Sequence, residues 1–297
     1  MKVCGKDIHV EGRLVRIGRL EGDGYEFIED PEAMLDGLRK CGSRIDIFTF
    51  MQRVTDTKPK YHYAMEWDNF AALAISTFDY WWTEQIGFKA RNKAKQAEKK
   101  GVTIREVAFD NTLVHGIWEV YNECPIRQGR RFRHFGKDLE TVRDEEATFL
   151  ERSVFIGAFL AERLIGFVKL VADETGTQAG LMNIVSMIEQ RDKAPTNALI
   201  AHAVRSCAER GIRFLVYSQF SYGRKQQDGI GDFKERNGFQ KIDVPRFYIP
   251  LNAIGWTAYR LGLHKPTVDR VPTAVVARLR ELRNAWYNRK FQQVAGG

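Results

Sequence analysis

The sequence predicts an α/β protein in which one mixed β-sheet carries helices on both faces. Three observations support this. Over residues 102–252, apolar runs of strand length alternate with stretches whose apolar residues recur every three or four positions. Helix starts and stops fall where the pattern changes: Pro195 opens one stretch, and Gly101, Gly211 and Gly238 end others. The 297 residues are 44% hydrophobic and 12% aromatic, enough to fill the core such a sheet needs. No apolar run approaches the roughly 18 residues that cross a bilayer.

In chain order, residues 1–30 read as one or two short strands between glycines. Asp30 and Pro31 cap and open a helix with Met34, Leu35 and Leu38 as its stripe. Residues 44–51 and 61–67 read as strands joined by a polar turn, and 70–77 is apolar but of ambiguous type. Residues 78–100 read as one helix, with Phe78, Trp82, Ile86, Ala90, Ala94 and Ala97 on one face. A strand at 102–109, a helix at 111–123 and a helix at 137–151 follow. Three strands come next, at 153–160, 163–172 and 178–188, the first two joined by a two-residue hairpin, Ala161 and Glu162. The order closes with a helix at 195–210, a strand at 212–218, a short helix at 231–238 and a strand at 245–251. His202 is expected on the exposed side of its helix.

Cysteine and charge placement narrow the function classes. Cys4, Cys41, Cys124 and Cys207 are far apart, and the six histidines are scattered. Neither a disulfide framework nor a metal site is indicated, and no metal is expected. The net charge of +8 is concentrated in two zones. Lys89, Arg91, Lys93, Lys95, Lys99 and Lys100 stand against Glu98, and eight basic residues from Trp256 onward stand against Asp269 and Glu281. Such zones suit a polyanion: RNA, a phosphorylated substrate or an anionic membrane surface.

Two motifs carry a family resemblance. Residues 231–239 (GDFKERNGF) form a short helix with Asp232 near its start and Gly238 at its stop. The element order over 102–252 resembles the GNAT superfamily of acyltransferases, and this segment resembles the superfamily's A-x-x-F-Y-x-x-x-G-F pattern with Lys234 in place of the tyrosine. Residues 91–102 (RNKAKQAEKKGV) resemble the basic helix that precedes the second GNAT-like unit of Fem-type peptidyltransferases, which carry a Phe-Lys pair like Phe233 and Lys234. The resemblance implies a partial GNAT-like half at 1–101, a catalytic core at 102–252 and a basic helical extension at 253–297. It implies transfer of an acyl or aminoacyl group to an amine acceptor, with a cell-envelope (peptidoglycan) precursor as the acceptor. No tightly bound cofactor is expected; acyl-CoA or aminoacyl-tRNA would be the co-substrate.

Such chemistry needs the amine deprotonated, the tetrahedral oxyanion stabilised and the leaving group protonated or shielded. The candidates are Lys234 as a cation or desolvated base with Phe233 as its anchor, Glu123 as proton acceptor, and Tyr217 as donor to the leaving group. The loop after the 111–123 helix supplies Arg127, Gln128, Arg130, Arg131 and His134, and Tyr222 flanks the cleft; these would bind a phosphorylated or acidic acceptor. Donor phosphates would meet Arg191, Lys193, Thr196 and Asn197, although residues 190–198 (QRDKAPTNA) lack the glycines of an acyl-CoA turn. Cys124 and His134 would be needed for a thiol nucleophile. Asn183 and Ser186 lie in the strand where GNAT enzymes often keep a polar base, though neither is one.

Two other readings compete: an ordinary acyl-CoA N-acetyltransferase, and a non-catalytic polyanion-binding module on the same fold. Beyond Trp256, the stripe Val275, Val276, Leu279, Leu282, Ala285 and Trp286 against Arg278, Arg280, Arg283 and Arg289 suits packing on the core or contact with an anionic membrane. The expected location is cytoplasmic and membrane-peripheral.

Overall fold

The computed structural model describes residues 1–42, 44–127, 129–221 and 229–265, with residues 278, 282, 283, 285 and 286. The elements begin with β1 (Lys2–Val3), β2 (Lys6–Glu11), β3 (Ile17–Leu20), α1 (Pro31–Lys40), β4 (Ile47–Met51) and β5 (Met65–Ala74). Then come α2 (Phe78–Tyr80), a π-helical turn (Trp81–Gln85), α3 (Phe88–Lys99), β6 (Val102–Val107), α4 (Asn111–Asn122) and a small hairpin of β7 (Ile126–Arg127) and β8 (Arg130–Arg131). The chain continues through α5 (Leu139–Glu146), β9 (Ser153–Leu160), β10 (Arg163–Ala172), β11 (Gln178–Ser186) and α6 (Pro195–Glu209). It ends with β12 (Phe214–Gln219), α7 (Gly229–Arg236), β13 (Gln240–Pro250) and α8 (Ala253–Arg260).

Eleven of these strands form one mixed sheet, ordered β1-β2-β3-β4-β13-β5-β12-β11-β10-β9-β6. The sheet crosses the predicted boundary near residue 101, because β5 pairs with β12 and β13 pairs with both β4 and β5. Tyr121 of α4 packs edge-on against Phe167 of β10, whereas Thr196 of α6 meets Ser186, whose ladder partner is Gly166. Adjacent strand residues point to opposite faces, so α4 and α6 cover opposite faces.

The β9–β10 hairpin turns on Ala161 and Glu162, both in the left-handed region at φ 47° and 65°, without glycine. Asp110 caps α4 by accepting from Leu113 N at 2.8 Å, as a short carboxylate at a helix start does.

Several expectations are corrected. The single helix at 78–100 is broken at Ile86 and Gly87, which are extended. Contacts distant in sequence outweigh the local periodicity. Trp81 Nε1 donates to Asn237 O at 3.0 Å, Gly87 N donates to Arg236 O at 2.8 Å, and Arg91 donates to Thr83 O. Trp81, not Trp82, is therefore the fully buried tryptophan. The expected strand at 61–67 and the ambiguous run at 70–77 are largely one strand, β5, and β13 lies between it and β4. The 137–151 helix ends at Glu146 and is followed by Phe149 in the left-handed region. His202 is half-buried, and burial pulls its pKa down.

Candidate active site

The site forms where the sheet opens. β11 and β12 are parallel and pair only through Gln178–Phe214, Ala179–Leu215 and Gly180–Val216. Beyond Gly180, β11 runs on to Ser186 with β10 alone as its ladder partner, and the two strands part. β12 ends at Gln219, where the register against β5 shifts between Val216 and Gln219 and Ser218 takes φ 50°.

α7 inserts Lys234 at this opening. The side chain is 1% exposed, so it is not the solvated lysine that an isolated lysine on a short helix would suggest. Its ammonium donates to Gln219 O at 2.5 Å and lies 4.6 Å from the centroid of the Tyr217 ring. Tyr217 in turn stands edge-on to buried Phe239, with centroids 5.7 Å apart. Phe233 is half-buried against the main core and its carbonyl accepts from Asn237 Nδ2 at 2.7 Å, which ends α7 tightly. Asn237 is fully buried and also takes the Trp81 indole through its carbonyl. The π-helical turn, α7 and the lysine thus form one packed unit.

The start of α6 borders the same opening. Ala194, at φ 54°, turns the chain, and Pro195 begins the helix. Thr196 Oγ1 lies 2.9 Å from Ser186 Oγ, and Asn197 Nδ2 donates to Asn237 Oδ1 at 3.4 Å. Arg191 is exposed in the preceding turn, while Lys193 pairs with Asp192 at 3.3 Å. The C-terminus of α3 docks on this turn: Lys100 pairs with Asp192 at 2.9 Å, and Gln96 and Lys100 both donate to its carbonyl. The basic helix and the predicted donor residues therefore share a surface.

On the opposite face, the predicted acceptor residues separate. Glu123 is held by Arg127 at 3.3 Å and by the Glu189 backbone N–H at 3.0 Å. Arg127 donates to Ser186 O and Val120 O and lies over the Phe132 ring, so it clamps the end of α4 to the end of β11. Burial lowers its pKa. Arg130 and Arg131 are exposed. His134 is buried and stacked on Tyr121, centroids 4.2 Å apart. Burial, reinforced by Arg133 and Lys137, pulls its pKa down to about 4, so it is neutral near pH 7. Its Nε2 accepts from Arg133 Nε at 2.8 Å, and its Nδ1 lies 3.4 Å from Lys137 Nζ and 3.6 Å from Glu145 Oε2. Cys124 donates to the carbonyl of Ile126, and among the described residues no thiol–imidazole hydrogen bond joins it to His134. Gln128 and Tyr222 lie outside the described residues.

Sequence reasoning missed a buried polar group beside this loop. Glu146 is fully buried; its Oε1 accepts from Tyr121 OH at 2.7 Å and Asn183 Nδ2 at 2.8 Å, while Oε2 has no hydrogen-bond partner among the described residues. Burial raises its pKa, and raises that of Tyr121 well above the usual phenol value. Lys169, across the ladder from Asn183, is also fully buried and donates to Glu146 O, Thr148 O and Thr148 Oγ1. Burial pulls its pKa down to about 8. A single lysine within the apolar run of β10 was the available signal. Among the described residues, no cluster of three or more His, Cys, Asp or Glu side chains could hold a metal ion.

The continuous mixed sheet, the parting of β11 from β12 and the helices on either face give the chain a GNAT-like fold. It is similar to the C-terminal (DUF2156) domain of a protein described as a lysylphosphatidylglycerol synthetase from Agrobacterium fabrum, at 13% identity over 85% of this chain and 83% of that one, TM-score 0.55. It is similar to L-PGS from Bacillus licheniformis at 13% identity, 82% and 81% coverage and TM-score 0.54. FemX matches at 11% identity, 81% and 83% coverage and TM-score 0.55. No protein-family model matches the sequence, and no curated protein matches it. At these identities the likeness establishes the fold.

Proposed function

We propose that the chain is a Fem-like N-acyltransferase that moves an acyl or aminoacyl group onto the amine of a cell-envelope precursor. The observation that carries this reading is the buried ammonium of Lys234 at the parting of β11 and β12. In the proposed reaction, the acceptor nitrogen attacks the donor carbonyl and forms the C–N bond. The carbonyl π pair moves onto oxygen, where Lys234 stabilises the negative charge. The oxyanion then collapses and expels the thiolate of CoA or the ribose oxygen of tRNA, which takes up the proton released by the amine. Both donors are polyanions, and Arg191, Lys193 and Lys100 lie together at the turn before α6. In this assignment residues 102–252 carry the chemistry, 1–101 contribute the supporting half and 253–297 form an extension.

The test combines a binding and a turnover measurement. Calorimetric titration with acetyl-CoA and with charged tRNA identifies the donor, since only the true donor should saturate. With that donor, Lys234→Ala should reduce acyl transfer while circular dichroism stays native. Undiminished transfer would remove Lys234 from the mechanism, and binding of neither donor would overturn the transferase reading.

A further inference from the structure

α8 is amphipathic in the wrong sense for a helix facing water. Residues on a helix advance by about 100° each, so Gly255 and Ala258 share one side. That side is buried, and Gly255 lies so close to the sheet that a Cβ there would sit 1.8 Å from Asp46 O. Ile254 (48% exposed) and Trp256 (53%) project from the two flanks of that buried side, with Leu261 (66%) immediately after the helix. Small residues face the protein and large apolar residues face solvent.

A second exposed element adjoins it. Asp46 is fully buried and accepts from Arg16 N at 2.8 Å and Asn252 Nδ2 at 3.0 Å, while its carbonyl accepts from Leu251 N. Burial would raise its pKa, but these hydrogen bonds and Arg44 outweigh burial and hold it below the ordinary value. Asp46 thus ties the 12–16 loop and the start of α8 to the same corner of the sheet. That loop presents Leu14, 88% exposed, between the exposed Arg13 and Arg16. Arg260 is also exposed and lies 4.3 Å over the Trp256 ring, while the exposed Arg44 and Lys265 are paired with Asp46 at 3.3 Å and Glu66 at 2.9 Å.

We infer that this corner docks on an anionic lipid bilayer. Leu14, Ile254, Trp256 and Leu261 would enter the headgroup boundary while the cations remain at the level of the lipid phosphates. Charge selects this occupant. A two-fold contact with a second copy sets a patch against itself and would oppose arginine to arginine. A nucleic acid would satisfy the cations but leave the aliphatic side chains without an apolar partner. The inference is independent of the proposed transferase activity, because its readout is lipid binding alone.

The test is co-sedimentation of the full chain with phosphatidylcholine vesicles and with mixed phosphatidylcholine–phosphatidylglycerol vesicles. Binding is expected only to the mixed vesicles and should weaken with added salt. Arg13→Glu with Arg16→Glu should weaken it by more than about tenfold, and Trp256→Ser with Leu261→Ser should weaken it comparably. All four positions are exposed; if the second pair nevertheless unfolds the chain, Leu14→Ser replaces it. Absence of binding to either vesicle, equal binding to both, or variants that bind as the parent does would each overturn the inference. So would a dimer in sedimentation velocity that the apolar variants convert to monomer, because the face would then belong to a second copy.

Discussion

Replacing Lys234 by methionine separates what this lysine does for the fold from what it would do in the proposed reaction. Methionine keeps the length and most of the volume of the lysine stem, so little cavity opens. The substitution removes the charged hydrogen bond to Gln219 O, worth about 1.5–3 kcal/mol, and leaves that carbonyl short of a donor. It also removes the cost of holding a cation out of water at 1% exposure, which is several kcal/mol. These terms oppose each other, so the unfolding free energy should change by less than about 2 kcal/mol in either direction. The rate has no such compensation. Loss of a preorganised donor to an oxyanion costs about 10²–10³ in kcat, or about 2.7–4 kcal/mol. The assay pairs urea unfolding of parent and variant with steady-state acyl transfer from the donor found by calorimetry. A variant that keeps full turnover refutes the catalytic role, and one that loses more than about 4 kcal/mol of stability refutes the cancellation argued above.

His134 makes stability pH-dependent on the acid side. Its folded pKa, about 4, lies below the ordinary histidine value, so its contribution is complete above about pH 6.5 and is lost as pH falls toward 4. Over that interval the unfolding free energy should drop by about 3 kcal/mol on this account, and His134→Phe, which keeps a ring against Tyr121, should flatten the slope in urea titrations. Glu146 has the opposite sense: its folded pKa is raised, so its contribution is present below the ordinary glutamate value and lost as pH rises through the folded value. Glu146→Gln should therefore gain stability relative to the parent as pH rises, and parallel pH curves for the two proteins would contradict this. Gly255→Ala forces a methyl group against the Asp46 backbone and should cost at least about 2 kcal/mol, read as a lower urea midpoint at unchanged slope.

The parts of this fold that were legible from sequence are those fixed by neighbours along the chain. β9 and β10 occupy the expected residues, and their turn is the expected pair, because alternation and hairpin length are local properties. The Pro195 start of α6 is equally local. The break at Ile86 and Gly87 was hidden because its causes, the carbonyls of Arg236 and Asn237, lie about 150 residues away. The insertion of β13 between β4 and β5 was hidden for the same reason. In the site, Lys234 was legible as a residue type at a motif position, and its burial was not. Glu146 was not legible at all: it sits in a helix with mean polarity high enough to read as solvated, and only the tertiary fold sets it against Tyr121 and Asn183. Arg127 and Glu123 were read as free groups of a binding loop, whereas pairing turns them into the brace between α4 and β11.

Within the proposed reaction, the surroundings of Lys234 favour the cationic role over that of a base. A lysine acting as base must be a neutral amine with a lone pair directed at the incoming nucleophile. Here its nitrogen donates to a carbonyl oxygen and faces the electron-rich side of a tyrosine ring. Both neighbours favour the ammonium over the amine. The proton lost by the acceptor amine must then travel elsewhere. Glu123 is poorly suited to receive it, because both of its oxygens are engaged by Arg127 and the Glu189 backbone. In this arrangement the leaving group is the natural proton acceptor, since expulsion of a thiolate or ribose oxyanion creates a base in the same cleft. In the proposed reaction the cation and the leaving group would then divide between them stabilisation of the oxyanion and uptake of the proton.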